Sequence, residues 1–174
     1  YDDLARLRIQ AATLGDMLLA TADRYPDRDC LVFPHTRHTW SSMAAAARRR
    51  ASGLYALGIR RGDHVGVLMP NCPEYLEFVY GCALIGAVAV LMNARYKASE
   101  LAYVIENADL RLLVTTDLIS EYADFGALVH AALPELAART AAEDQARQPL
   151  ALAAVPELRH LVMLGDSTPR GFLR

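Results

Sequence analysis

Between residues 65 and 115 short apolar runs alternate with segments of helical period, and this order constrains the fold more than any other feature. VGVLM (65–69) is a continuous apolar run stopped by Pro70. A helical segment follows with Pro73 in its first turn, where the missing N–H is not needed, and Gly86 breaks it. AVAVLM (87–92) is a second apolar run, 99–107 a second helix and RLLVT (111–115) a third strand. Parallel strands can be joined only through a crossover, and such crossovers are right-handed. The alternation therefore predicts an α/β fold, a mostly parallel sheet with helices on both faces. An apolar run without alternation, such as 87–92, is what a strand buried on both faces requires.

The flanks add elements around this unit. Thr13 and Asp16 have the spacing of a capping box, and Leu14, Met17, Leu18 and Ala22 line one face of the helix they open. Residues 29–34 and 36–39 read as a hairpin. Ser41 or Ser42 starts a long alanine-rich helix that Gly58 stops. Residues 118–154 are expected to hold two or three helices, broken near Pro134, with a polar segment at 140–149. Residues 158–164 return to strand and 166–174 read as loop. A chain of 174 residues that is 53% hydrophobic and 22% charged can build a core, so disorder is excluded for most of its length. The net charge of -2 carries no basic excess, so no nucleic-acid partner is expected.

Few residue patterns point to chemistry. Cys30, Cys72 and Cys82 fit neither a disulfide framework nor a metal motif, and they read as reduced thiols of a cytoplasmic protein. The most apolar run, 78–92, is too short to span a bilayer, and no transmembrane segment is expected. No GxGxxG or GxxxxGK[ST] loop is present. GDSTPRG (165–171) reads as a surface loop rather than an anion cradle. His35 and His38 bracket a turn but lack a third ligand, so no metal site is expected. Glu74 and Glu77 read as a solvated helix face, and so do Arg48, Arg49 and Arg50. Lys97 is the only lysine, so a catalytic lysine within this chain could be no other residue. No catalytic residue is assigned.

Four motifs in order resemble the adenylate-forming acyl-CoA synthetases. Thr39-Trp40-Ser41-Ser42-Met43 resembles the family's T-[YF]-x-E-L element, with Ser42 in place of the usual glutamate. LYALGIRRGDHVGVLMPN (54–71) resembles LxxLGVxxGDxVAxxxPN. GCALIGAVAVLMNARYKASELAYVI (81–105) resembles GxxxAGAxxVPLNPRxxxxELxYxL, with Leu91 and Ala94 where two prolines are usual. RLLVTTD (111–117) resembles the strand that comes after it in the family. The N-x-R-[YF]-[KR]-x-x-E-L form resembles fatty or aromatic acid:CoA ligases more than peptide-synthetase adenylation domains.

The resemblance implies that residues 1–174 are the N-terminal subdomain of such an enzyme, ending before its ATP-binding loop, with 118–154 a helical segment within it. The full-length protein would join a carboxylic acid to ATP as acyl-AMP and pass the acyl group to coenzyme A, with Mg²⁺. The chain alone would be inactive and bind none of these tightly. The resemblance also places Asn93, Ala94, Arg95 and Tyr96 near the CoA nucleotide, where Arg95 would meet a phosphate; fixing a strand-to-helix turn is the competing role for Asn93 and Arg95. The implied partner is the remainder of the same ligase, and the isolated chain would self-associate through the face left bare. The alternatives are an adenylating enzyme without CoA transfer and a stand-alone, non-catalytic α/β interaction module.

Overall fold

The computed structural model describes residues 12–118 and 123–174. Helix α1 (Leu14–Arg24) is closed at its N-terminus by reciprocal bonds: the Asp16 N–H donates to the Thr13 hydroxyl at 3.1 Å, and the Thr13 N–H donates to the Asp16 carboxylate at 3.1 Å. Its buried side differs from the expected one by one residue. Gly15 and Leu18 are buried, Met17 and Ala22 half-buried, and Leu14 is 45% exposed. Gly15 causes the shift, because a Cβ there would stand 3.1 Å from the carbonyl oxygen of Ala83; without one, the helix closes onto that backbone.

Strands β1 (Asp29–Val32) and β2 (Arg37–Thr39) form the expected antiparallel hairpin, with an Arg37–Asp29 ion pair across it. Helix α2 (Trp40–Ala56) is capped by Thr39, whose hydroxyl accepts from the Ser42 N–H at 3.2 Å, rather than starting at Ser41 or Ser42. Then come β3 (His64–Leu68), α3 (Pro73–Ile85), β4 (Val88–Leu91), α4 (Ala98–Asn107) and β5 (Leu110–Thr116). The alternation therefore folds as read. The region beyond residue 122 holds α5 (Phe125–Ala132), a 3₁₀ turn (Pro134–Ala138) and the short α6 (Ala141–Gln145), broken where Pro134 predicts. Strand β6 (His160–Leu164) closes the expected set.

The five sheet strands are all parallel, in the order β4-β3-β5-β6-β7. Strand β7 (Phe172–Leu173) lies in the tail expected to be loop. Too short to carry a periodic signal, it is held by pairing of Leu161 with Phe172 and Val162 with Leu173. A second correction concerns 87–92. This run is not buried on both faces: β4 is an edge strand, with Val88 46% and Leu91 53% exposed. The chain reverses after β4, and α4 carries it past β3 to the other side, so among the described residues nothing pairs with the outer edge of β4.

Alternate residues feed two cores, as expected for a sheet covered on both faces. Leu68, Leu113, Leu161 and Met163 meet Leu101, Ile105, Phe125 and Val129 of α4 and α5. Val65, Val67, Leu112 and Val114 meet Leu54, Phe78 and Cys82 of α2 and α3. Here the solvated-face reading of Glu77 and of Arg50 fails. The face of α3 that carries Glu77, Phe78, Gly81 and Cys82 is the buried one. Packing it on α2 sets Glu77 against Arg50, Nη2 to Oε2 at 2.8 Å, with the guanidinium 5.1 Å from the Phe78 ring centroid.

Candidate functional site

In an open parallel sheet the usable crevice lies beyond the carboxyl ends of the strands, where successive crossovers leave on opposite faces. Here that edge has two halves. Beyond β3 and β4 lies a groove of about 450 Å³, lined by Met69, Asn71, Tyr75, Met92, Asn93 and Ala94. Pro70 ends β3 and Pro73 starts α3, so Asn71 is held in an exposed bend between them. Met69 and Met92 are buried at its floor, and Tyr75 is half-buried, with burial pushing its phenol up.

The segment from Asn93 to Tyr96 is brought to this groove in part. Asn93 and Ala94 line it. Arg95 and Tyr96 come next in the chain without lining it; Arg95 is exposed, and Tyr96 packs with Ala94 against the core under α4 and α5. The local geometry is a turn: the Arg95 N–H donates to Asn93 Oδ1 at 2.9 Å and the Tyr96 N–H to the Asn93 carbonyl at 3.1 Å. The Lys97 N–H then donates to Glu100 Oε2 at 2.7 Å, closing the start of α4. The Asn93 side chain thus fixes the strand-to-helix turn and aims Arg95 and Tyr96.

Beyond β5 and β6 lies a second groove, of about 410 Å³, lined in part by Thr116, Asp117, Asp124, Phe125 and Ser167, and most of the polar groups there are bonded within the chain. The Thr115 hydroxyl donates to the Leu68 carbonyl at 2.7 Å, and the Thr116 hydroxyl to that of Leu164 at 3.1 Å. Asp117 accepts the Asp166 N–H at 3.2 Å and the Ser167 N–H at 2.6 Å. These bonds, the Ser167 hydroxyl first, hold its carboxyl below the usual carboxylate range. Gly165 has φ +125°, and a Cβ there would fall 1.4 Å from Asp117 Oδ1. The GDSTPRG loop is therefore filled by the chain's own carboxylate, a structural tie that its glycine and serine content did not disclose.

The three cysteines are free, Cys72 and Cys82 buried and Cys30 half-buried. Burial pushes the Cys72 thiol up to about 11 and the Cys82 thiol to about 12, so both stay protonated and unreactive at neutral pH. Among the described residues no three His, Cys, Asp or Glu side chains gather as metal ligands, and no helix is long and apolar enough to cross a membrane. Sequence reasoning missed Asn71 and Tyr75 as groove residues. The available signal was a Pro-Asn pair directly after a strand, at the end of the sheet where ligands bind.

Comparison with known proteins agrees with this architecture. The acyl-CoA ligase sidI of Aspergillus fumigatus is 39% identical over 112 residues, covering 63% of this chain and 19% of that protein. A crotonobetaine/carnitine–CoA ligase of Salmonella paratyphi B is 36% identical over 97 residues, covering 53% of this chain and 19% of that protein. Among solved structures, the N-terminal domain of FACL13 from Mycobacterium tuberculosis superposes with a TM-score of 0.68 at 27% identity, covering 88% of this chain and 34% of that one. The chain spans about a fifth of the length of the curated relatives it matches, 23% and 19% for the first two. The family model for AMP-binding enzymes matches residues 18–169, from α1 to the loop before β7. The chain belongs to the AMP-binding enzyme family.

Proposed function

We propose that the chain is the N-terminal subdomain of an acid:CoA ligase, truncated before the ATP-binding loop, with residues 118–154 as a helical segment within the subdomain. The full protein would run two steps. A carboxylate oxygen attacks the α-phosphorus of ATP, releasing pyrophosphate and leaving an acyl-adenylate. The thiol of coenzyme A then attacks the acyl carbon and AMP departs. Adenylation turns a poor leaving group into a good one, and Mg²⁺ would neutralise phosphate charge. The observation that carries the reading is the family match across 18–169, together with relatives named as CoA ligases.

This chain would contribute positioning rather than chemistry. The groove beyond β3 and β4 offers an apolar floor from Met69 and Met92 and amides from Asn71 and Asn93, a combination suited to a nucleotide base edge. Arg95, aimed by the Asn93 turn, would meet a CoA phosphate with a charge-assisted bond. Asn93, Ala94, Arg95 and Tyr96 together would form this cofactor-binding segment. The free thiols and the lack of a membrane-crossing helix among the described residues support a cytoplasmic setting.

The test is an assay of the full-length protein for ATP–pyrophosphate exchange and for acid-dependent loss of free CoA thiol. Both are expected. Exchange without thiol loss would replace the proposal by an adenylating enzyme that does not use CoA. Neither, in a stable monomer, would point to a non-catalytic module. The 174-residue chain alone is expected to show no exchange and to self-associate in light scattering.

A further inference from the structure

Strand β4 spends its backbone on one side only. It pairs in parallel with β3, and among the described residues nothing pairs with its other edge. The Val88 N–H donates to the Asp63 carbonyl at 2.9 Å and the Met92 N–H to the Val67 carbonyl at 3.1 Å. Backbone groups alternate in direction along a strand, so the N–H and C=O of Ala89 and of Leu91 point away from β3, along the open edge. Side chains alternate as well. Val90 and Met92 pack on the core under α4 and α5, and Ala87 and Ala89 on the core under α2 and α3. Val88 therefore stands on the first face and Leu91 on the second, 46% and 53% exposed, so the edge is open on both sides of the sheet.

Exposed edges are ordinarily blocked by charge, by proline or by a covering segment. Residues 86–94, GAVAVLMNA, carry no charge and no proline. The motif that this segment resembles usually has proline at position 91. A proline there deletes an N–H that points to the open edge and leaves the bonds to β3 in place. Leu91 restores that donor and sets an apolar side chain beside it.

We infer that β4 pairs antiparallel with β4 of a second copy of this protein, across a two-fold axis that passes through Val90 perpendicular to the sheet and joins two sheets into one. The strand is complementary to itself in that register. Ala89 faces Leu91 of the copy and Leu91 faces Ala89, so each outward N–H meets an outward C=O. Opposed side chains share a face: Leu91 covers the alanine across from it, and Val88 comes beside Met92. An uncharged segment brings no like charges together when it pairs with itself, and it offers a charged strand nothing to pair with. Each copy presents this edge once, so the two-fold closes the pair.

In the full-length protein, sedimentation is expected to show a monomer–dimer equilibrium between about 1 and 100 μM. Leu91→Pro removes one outward N–H per copy and should weaken association at least about tenfold; Leu91→Ala keeps the N–H and should weaken it less. Val90→Cys reports the register. Non-hydrogen-bonded residues across an antiparallel pair stand about 4.5 Å apart between Cα atoms, within the reach of a disulfide. Position 90 lies on the axis, so mild oxidation should link Val90→Cys to its own copy, identified by peptide mass spectrometry. Ala89→Cys, whose two copies are displaced along the strands, should link no more than wild type. A monomer at every concentration overturns the inference. So does a dimer that Leu91→Pro leaves unchanged, which assigns association to another surface, and so does equal linking at positions 89 and 90. The melting midpoint of Leu91→Pro shows whether that variant folds; if it does not, the two cysteine variants decide. Mass and cross-linking need no turnover, so neither outcome depends on the ligase reading.

Discussion

The two halves of the sheet's carboxyl edge are made from the same kinds of residue and do opposite things with them. Beyond β5 and β6, Thr115, Thr116 and Asp117 spend their polar atoms on neighbouring backbone, although a groove of about 410 Å³ lies beside them. Beyond β3 and β4, Asn71 stands exposed and Asn93 uses its carbonyl oxygen on a turn while lining an open groove. The difference separates structural polarity from polarity available to a ligand. A polar side chain at a strand end signals a site only where the surrounding backbone does not already consume it.

The largest expected effect breaks the half beyond β5 and β6. Gly165→Ala places a methyl group onto Asp117 Oδ1 at a backbone angle, φ +125°, that side chains rarely adopt. A loss of about 3 kcal/mol or more is expected in urea unfolding, from strain and the displaced carboxylate together. Gly53→Ala is the counterpart: the helical site is open, and a gain of about 0.5–1 kcal/mol is expected. Equal effects of the two changes would mean that the loop after β6 is not fixed by Asp117.

Thr115→Val comes next. The shape is kept, but the Leu68 carbonyl loses a buried donor at 2.7 Å. A cost of about 1–2 kcal/mol is expected, and a neutral result would show that this bond does not tie β5 to β3.

Asp117→Asn sharpens the comparison through pH. The folded protein holds this carboxyl below its ordinary value, so its contribution is complete above the ordinary carboxylate range and fades as pH falls through the lowered folded value. The wild-type advantage over Asp117→Asn should be about 1 kcal/mol near neutral pH, since the group is only half-buried. It should shrink in acid. A difference independent of pH would remove the carboxylate from the tie.

Much of this was legible in the residues, and the failures share a cause. Thr13 with Asp16, Pro73, Gly86 and the alternation from 65 to 115 act through local geometry, which a sequence displays directly. Leu14, β4 and Glu77 went astray because their burial depends on what lies across from them: a glycine that shifts a helix seam, a crossover that leaves a strand at the edge, an arginine one helix away. Asp117 was hidden for the same reason. Its partners lie about fifty residues downstream and are backbone N–H groups, which carry no residue signature. In the candidate site, Asn93 and Ala94 were found by motif, whereas Asn71 and Tyr75 join them only once β3 and β4 pair.

The smallest effects on stability decide whether the half beyond β3 and β4 is a site. The Asn93 side chain holds the turn, so Asn93→Ala should cost about 0.5–1 kcal/mol and misplace Arg95 and Tyr96. Arg95 enters that turn through its backbone N–H, which any residue supplies, so Arg95→Ala keeps this bond. If Arg95 meets a CoA phosphate, Arg95→Ala in the full-length protein should raise the KM for CoA roughly tenfold, the scale of one lost charge-assisted bond, and leave pyrophosphate exchange unchanged. Asn93→Ala should raise the same KM by a smaller factor, acting through position alone. A purely structural segment gives the reverse order: stability falls with Asn93→Ala and neither change moves the KM for CoA.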